Sequence, residues 1–303
     1  MDKGSMKYIE NLLHTLEPIE PLSTGITPET TKDPAIKAVL FDIYGTLLVS
    51  SSGDIDQAEI SAINLQKAFE AGNIKIVSSS DIALDSILCD FEHTIRICHQ
   101  EANKNNVPYP EVDILSIWEI VLLHAKRKKL ISFNGEANIM RMTCIFEFLS
   151  NKVYPMPGMG ELIQGLSERK LPIGIVSNAQ FYTPVLMNYF LKKTISLDET
   201  IAFFDPELTV FSYKLGIGKP DTRLFDELLP ILLKKYKLKP EEVLFVGNDM
   251  LKDIYTSSRA GFKTALFAGD SRSLRLRPDD FRVKNIKPNY IITELRQINE
   301  ILV

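Results

Sequence analysis

Six short apolar runs constrain this chain more than any other feature. AVLFDIY (38–44) stands alone; IGIVSN (173–178), LTVFSY (208–213), EVLFVGN (242–248), KTALFAG (263–269) and NYIIT (289–293) follow as a series. None alternates apolar with polar residues, which is the pattern of strands buried on both faces. Helix-like segments such as TRLFDELLPILLKKYKL (222–238) lie between members of the series. Strands alternating with helices imply βαβ units, and so an α/β fold: a Rossmann-like parallel sheet core with helices on both faces.

Residues 51–152 interrupt that pattern. AEISAINLQKAFEAG (58–72), ALDSILCDFEHTIRICHQEANK (83–104), ILSIWEIVLLHAKRKKL (114–130) and NIMRMTCIFEFLSNK (138–152) have helical periodicity and no convincing strand. The expected organisation is a core made of 36–50 and 153–303, with an inserted helical cap over 51–152. Open α/β sheets bind ligands beyond the carboxyl ends of their strands. An insertion leaving from that end would sit over the site as a lid. Residues 1–35 hold a short amphipathic piece and then PIEPLSTGITPETTKDP, whose composition favours an extended arm or linker over packed structure.

Bulk properties exclude several classes. A net charge of −4 over 303 residues gives no global basic field, so nucleic acid is not an expected partner. The basic cluster Lys126–Lys129 reads as a solvated helix face. Three cysteines, Cys89, Cys98 and Cys144, form no C-x-x-C pair, which suits a reducing compartment without disulfides. His14, His93, His99 and His124 lack zinc-ligand spacing. No stretch approaches the ~18 apolar residues of a membrane span, and MDKGSMKYIE lacks the apolar region of a secretory signal. The expectation is a cytoplasmic protein with no membrane partner. The Arg-rich loop GDSRSLRLRPDDFRVKN (269–285) reads as solvated.

Four polar constellations end or follow the strands, where loops carry function. They are Asp42-Ile43-Tyr44-Gly45-Thr46, Ser177-Asn178, the loop GIGKPD with Lys219, and Gly247-Asn248-Asp249-Met250-Leu251-Lys252-Asp253. Together they supply a carboxylate nucleophile, a hydroxyl, a lysine and further carboxylates, an inventory suited to phosphoryl transfer. Asp42 can attack phosphorus to form an aspartyl-phosphate, while Ser177 and Lys219 stabilise the phosphate oxygens. Mg²⁺ can join Asp42, an acid of the fourth loop and the phosphate, since it favours few protein carboxylates. As turn or cap residues, Asp42 and Asp249 have the alternative of purely structural roles.

FDIYGTLL, IVSNA, GIGKPDTRLF and VGNDMLKDIYTSSRAGF resemble, in order, the four motifs of the haloacid dehalogenase-like (HAD) hydrolase superfamily, and the long insertion after the first resembles its type-1 helical cap. The resemblance covers residues 37–296. It implies that Asp42 is the nucleophile, that Lys219 orients it, and that Ser177, the backbone N–H of Asn178, and Thr46 serve phosphate binding. It implies Mg²⁺ held by Asp42, the Tyr44 carbonyl, Asp249 and Asp253. Counted back from Asp253, the fourth motif has two registers, one landing on Asn248 and the other on Asp249, so Asn248 is also a candidate ligand.

Tyr44 departs from the phosphatase pattern, which has a second aspartate there as general acid/base. A phenol with an ordinary pKa near 10 is a poor base at neutral pH. Either Tyr44 is a catalytic phenol or it packs and hydrogen-bonds a neighbour. Tyrosine here is typical of the family's 2-haloacid dehalogenases, in which Asp attacks carbon without metal. Against that reading stand Asp249 and the lack of a counterpart to the dehalogenases' substrate-binding arginine. The expectation is a Mg²⁺-dependent phosphatase of a small phosphate ester, with a dehalogenase, or a slow phosphate-binding or regulatory protein, as alternatives.

Overall fold

A computed structural model describes residues 1–51, 60–77, 80–133, 135–195 and 203–302. The start of the expected insertion, 52–59, lies outside the described residues. The main sheet has six parallel strands in the order β10-β9-β8-β1-β6-β7. These are β1 (Ala38–Phe41), β6 (Ile173–Ser177), β7 (Thr209–Phe211), β8 (Val243–Gly247), β9 (Lys263–Phe267) and β10 (Tyr290–Ile292). The strand read as standing alone is central: Val39 pairs with Ile173 on one side and Leu244 on the other. Its side chains alternate between two apolar clusters, Val39 and Phe41 on one face and Ala38 and Leu40 on the other. Burial on both faces is why no polar alternation marks it.

Two antiparallel strands, β2 (Leu48–Ser50) and β5 (Val153–Pro155), form the root of the insertion, with Ser50 Oγ donating to Asn151 Oδ1 at 2.7 Å. Beyond them lie α2 (Ala62–Ala71), α3 (Ser80–Lys104), α4 (Ile114–Arg127) and α5 (Ile139–Ser150). They close around Trp118, which stacks on Phe91 at 4.3 Å and meets Phe146 edge-on at 5.0 Å. The segment is not wholly helical: β3 (Ile74–Ile76) pairs antiparallel with β4 (Ile131–Phe133). Three residues are too few to show a strand period in sequence, and this corrects the strand-free expectation. The single helix expected over 222–238 is broken instead into turns at Arg223–Asp226, Leu229–Ile231 and Leu232–Tyr236. Pro230 supplies no N–H for a continuous helix.

The N-terminal stretch is packed, contrary to its composition. Residues Lys3–His14 form α1, capped by Asp2 and burying Ile9 and Leu13, with Asn138 at the start of α5 donating to Ser5 Oγ at 2.9 Å. The Pro/Thr-rich part is extended but tied down. Leu22 N–H donates to Asp270 at 2.8 Å, and Glu29 and Ile291 exchange backbone bonds of 2.8 and 3.0 Å. Asp33 takes bonds from Lys263 and from Tyr290. The stretch serves as a strap over the β9–β10 side of the sheet. Among the described residues no helix is long and apolar enough to cross a membrane.

Candidate active site

Asp42 follows β1 directly, and its N–H still donates to Val246 O of β8 at 2.9 Å. The turn beyond it needs Gly45, which has φ +80° and lies where a Cβ would come within 2.6 Å of Asn248. Lys219 is the centre of the arrangement. Its Nζ donates to Asp42 Oδ1 at 2.7 Å, Asp253 Oδ1 at 2.5 Å and Val176 O at 3.0 Å. Burial opposes its charge, but the carboxylates of Asp253 and Asp42 outweigh burial and raise its pKa. Asp253 shares that one cation with Asp42. Burial, supplemented by the charges of Asp42 and Asp249, therefore raises its pKa despite the lysine. Gly247 is needed beside it, because a Cβ there would meet the Asp253 carboxyl at 2.4 Å.

Asp42, Lys219, Asp253, Ser177 and Asn178 line one cavity of about 150 Å³. That is small beside the several hundred Å³ of a site for a drug-sized ligand. Ser177 Oγ is buried and has no hydrogen-bond partner among the described residues. A buried hydroxyl left so is costly, and an anionic ligand in the cavity would satisfy it. The Asn178 side chain accepts from Lys219 N–H at 2.7 Å and donates to Lys219 O at 3.2 Å, which fixes the lysine's backbone. Thr46 is not brought to the cavity. It is fully buried, and its hydroxyl donates to Asn248 Oδ1 at 3.2 Å, so its place in the phosphate-binding set is corrected to support of Asn248.

Tyr44 lines the same cavity. Its hydroxyl lies 2.9 Å from Thr183 Oγ1, in the first turn of the helix Thr183–Ile195. Burial raises its pKa, and the nearby charges of Glu147 and Asp42 add to the effect. A phenol held neutral and bonded to Thr183 is a poor base at neutral pH.

Asp249 accepts hydrogen bonds from three residues. Its Oδ1 accepts from the N–H groups of Leu251 and Lys252 at 2.8 and 3.1 Å, capping the turn Met250–Tyr255. Its Oδ2 accepts from Arg277 Nη2 at 2.6 Å. Asp249 lines the cavity as well, so a metal bound there would share this carboxylate with Arg277. Asn248 instead reaches over the turn after Asp42, with its amide fixed by a 2.6 Å bond to Ser273 O. Asp253 is engaged by Lys219 and by Asp249 N–H at 2.9 Å. Among the described residues no three His, Cys, Asp or Glu side chains group as metal ligands. Asp42 and Asn248 both line the cavity and bring oxygen donors to it. Such oxygens would fit a hard cation such as Mg²⁺ that takes its other ligands from substrate and water.

Sequence reasoning missed several residues. Arg277 and Ser273 lie in the loop read as solvated, which folds back onto the fourth motif; only its density of arginine was a signal. Glu111 and Gln180 also line the cavity. Gln180 stands two residues after Asn178 and was within reach of the motif, whereas nothing local marks Glu111.

A family model described as haloacid dehalogenase-like hydrolase matches residues 36–261. Glyceraldehyde 3-phosphate phosphatase of Pyrococcus furiosus is 34% identical over 88 residues, covering 29% of this chain and 32% of that protein. A haloacid dehalogenase-like hydrolase domain-containing protein of Arabidopsis thaliana is 29% identical over 154 residues, 50% of this chain and 54% of that one. The chain thus spans about a third to a half of the length of these curated relatives. The crystal structure of 2-haloacid dehalogenase from Pseudomonas syringae superposes with a TM-score of 0.52 at 18% identity, over 88% of this chain and 97% of that one, and shares the fold.

Proposed function

The chain belongs to the haloacid dehalogenase-like hydrolases, and within that family we propose that it is a phosphatase of small phosphate monoesters. The observation that carries this reading is Lys219, buried and bonded to Asp42, in one small cavity with the unpartnered hydroxyl of Ser177. A cavity that offers a nucleophile, a fixed cation and an unmet donor suits an anionic tetrahedral group.

Lys219 holds Asp42 Oδ1, leaving Oδ2 to attack phosphorus and form an aspartyl-phosphate. Ser177 Oγ–H and the N–H of Asn178 donate to the phosphoryl oxygens as charge builds there, and Lys219 offsets that charge. Water then attacks the phosphoryl group, releasing phosphate and restoring the carboxylate. Mg²⁺, held by Asp42, Asn248 and the Tyr44 carbonyl, would neutralise phosphate charge when bound. With no acid at position 44, alcohols that leave without protonation depart fastest. The similarity to a glyceraldehyde 3-phosphate phosphatase supports the class of reaction.

The test is phosphate release from a panel of monoesters with Mg²⁺, using wild type and Asp42→Asn. Turnover by wild type alone is expected. No release by wild type across the panel, or equal release by Asp42→Asn, overturns the proposal. The engagement of Tyr44 with Thr183 favours one second reading, carbon displacement, which needs no leaving-group acid. Halide release from 2-chloropropionate without metal would select it.

A further inference from the structure

A segment of the insertion is built into the wall of the cavity. Gly218 N–H donates to Tyr109 O at 2.8 Å and Glu111 N–H to Gly216 O at 3.1 Å, so residues 109–111 pair with the loop that carries Lys219. Arg282 Nη1 donates to the Tyr109 hydroxyl at 2.6 Å. On the other side the buried Gln180, three residues beyond Ser177, donates to Val112 O at 2.8 Å and accepts from Ile114 N–H at 3.0 Å. The Glu111 carboxylate is itself held in place. Its Oε1 accepts from Gln180 Nε2 at 3.2 Å and from Val112 N–H at 3.0 Å, and its Oε2 from Ser212 Oγ at 2.9 Å. Ser212 Oγ in turn accepts from Ala179 N–H at 2.9 Å. One chain of bonds therefore joins this carboxylate to the loop of Ser177 and Asn178.

Resting on the phosphatase reading, we propose that Glu111 is a specificity residue that selects phosphate monoesters whose leaving group carries hydroxyl or ammonium donors, and rejects those carrying a carboxylate. An ionised carboxylate accepts hydrogen bonds and cannot donate them. Facing the cavity from the insertion, it favours a donor-bearing substrate and repels an anionic one. Its fixed position means that little order has to be gained on binding. The phosphate end of the cavity, with Lys219 and Ser177, takes the group common to all such esters, and Glu111 distinguishes what is attached to it.

The experiment is calorimetric binding to the full chain with Mg²⁺, using wild type for inorganic phosphate and the Asp42→Asn background for the esters so that none is consumed. Its probes are inorganic phosphate, glycerol 3-phosphate and phosphoglycolate. Glycerol 3-phosphate is expected to bind about tenfold more tightly than phosphoglycolate, the scale of one hydrogen bond to a charged group. Glu111→Gln in that background should bring the two affinities together. Ser212→Ala, which keeps the charge but loosens its seat, should narrow the gap by less. A ratio unchanged by Glu111→Gln, or a preference for phosphoglycolate with Glu111 in place, overturns the proposal while phosphate binding leaves the phosphatase reading standing. Failure of inorganic phosphate to bind the wild-type chain overturns both.

Discussion

Lys219 is the residue on which the site depends. It is one cation between two buried carboxylates, so its proton is secure and Asp42 is held by a single oxygen. Position 44 shows the reverse: the motif pattern places an acid/base there, and the chain has a phenol bonded to Thr183. Tyr44→Phe should lose the bond to Thr183, about 1 kcal/mol of stability by urea denaturation, and leave kcat close to wild type. A collapse of kcat in a folded variant would return the phenol to the chemistry. Asp42, Ser177, Lys219 and Asp253 were legible because each ends or follows an apolar strand, where the fold itself brings side chains together. Arg277 and Glu111 were not. Their partners lie 28 residues away in one case and 69 and 101 in the other, and no local pattern encodes such pairings.

At the scale of elements, the strands were readable because burial on both faces leaves an unbroken apolar run. The three-residue β3 and β4 and the turns around Pro230 were not, because pieces so short carry no period. The contact of α5 with the core has a consequence for pH. Glu147 of α5 accepts from the Tyr182 hydroxyl at 3.1 Å, and burial raises its pKa from 4.5 to about 7. The native state thus holds this proton more tightly than the unfolded chain. Its stabilising contribution is complete below about pH 4.5 and is lost as pH rises through 7, up to about 3 kcal/mol in all. Glu147→Gln should flatten that part of the stability profile and be the more stable protein at pH 8. Parallel denaturation profiles of variant and wild type from pH 4.5 to 8 would contradict this.

Across the whole molecule, segments distant in sequence converge on the carboxyl ends of β1, β6 and β8. The insertion supplies one wall and the loop of Arg277 another, while the N-terminal strap binds the far side of the sheet. Composition revealed the layers but not these returns, because a polar extended segment reads alike whether solvated or strapped down. The metal donors are similarly dispersed, and their carboxylates are shared with Lys219 and Arg277. Mg²⁺ should therefore bind the protein weakly alone and more tightly once phosphate oxygens complete its shell. Calorimetric titration with and without inorganic phosphate checks this, and equally tight binding without phosphate would contradict it.

The central claim is that Asp42 carries the phosphoryl group between substrate and water. The direct measurement is an acid quench during turnover of a phenyl phosphate, followed by proteolysis and mass spectrometry of the peptide spanning Asp42. A phosphoryl adduct on Asp42, absent from Asp42→Asn, is the predicted result. Phosphate released at full rate, with the Asp42 peptide unmodified at every quench time, would contradict it.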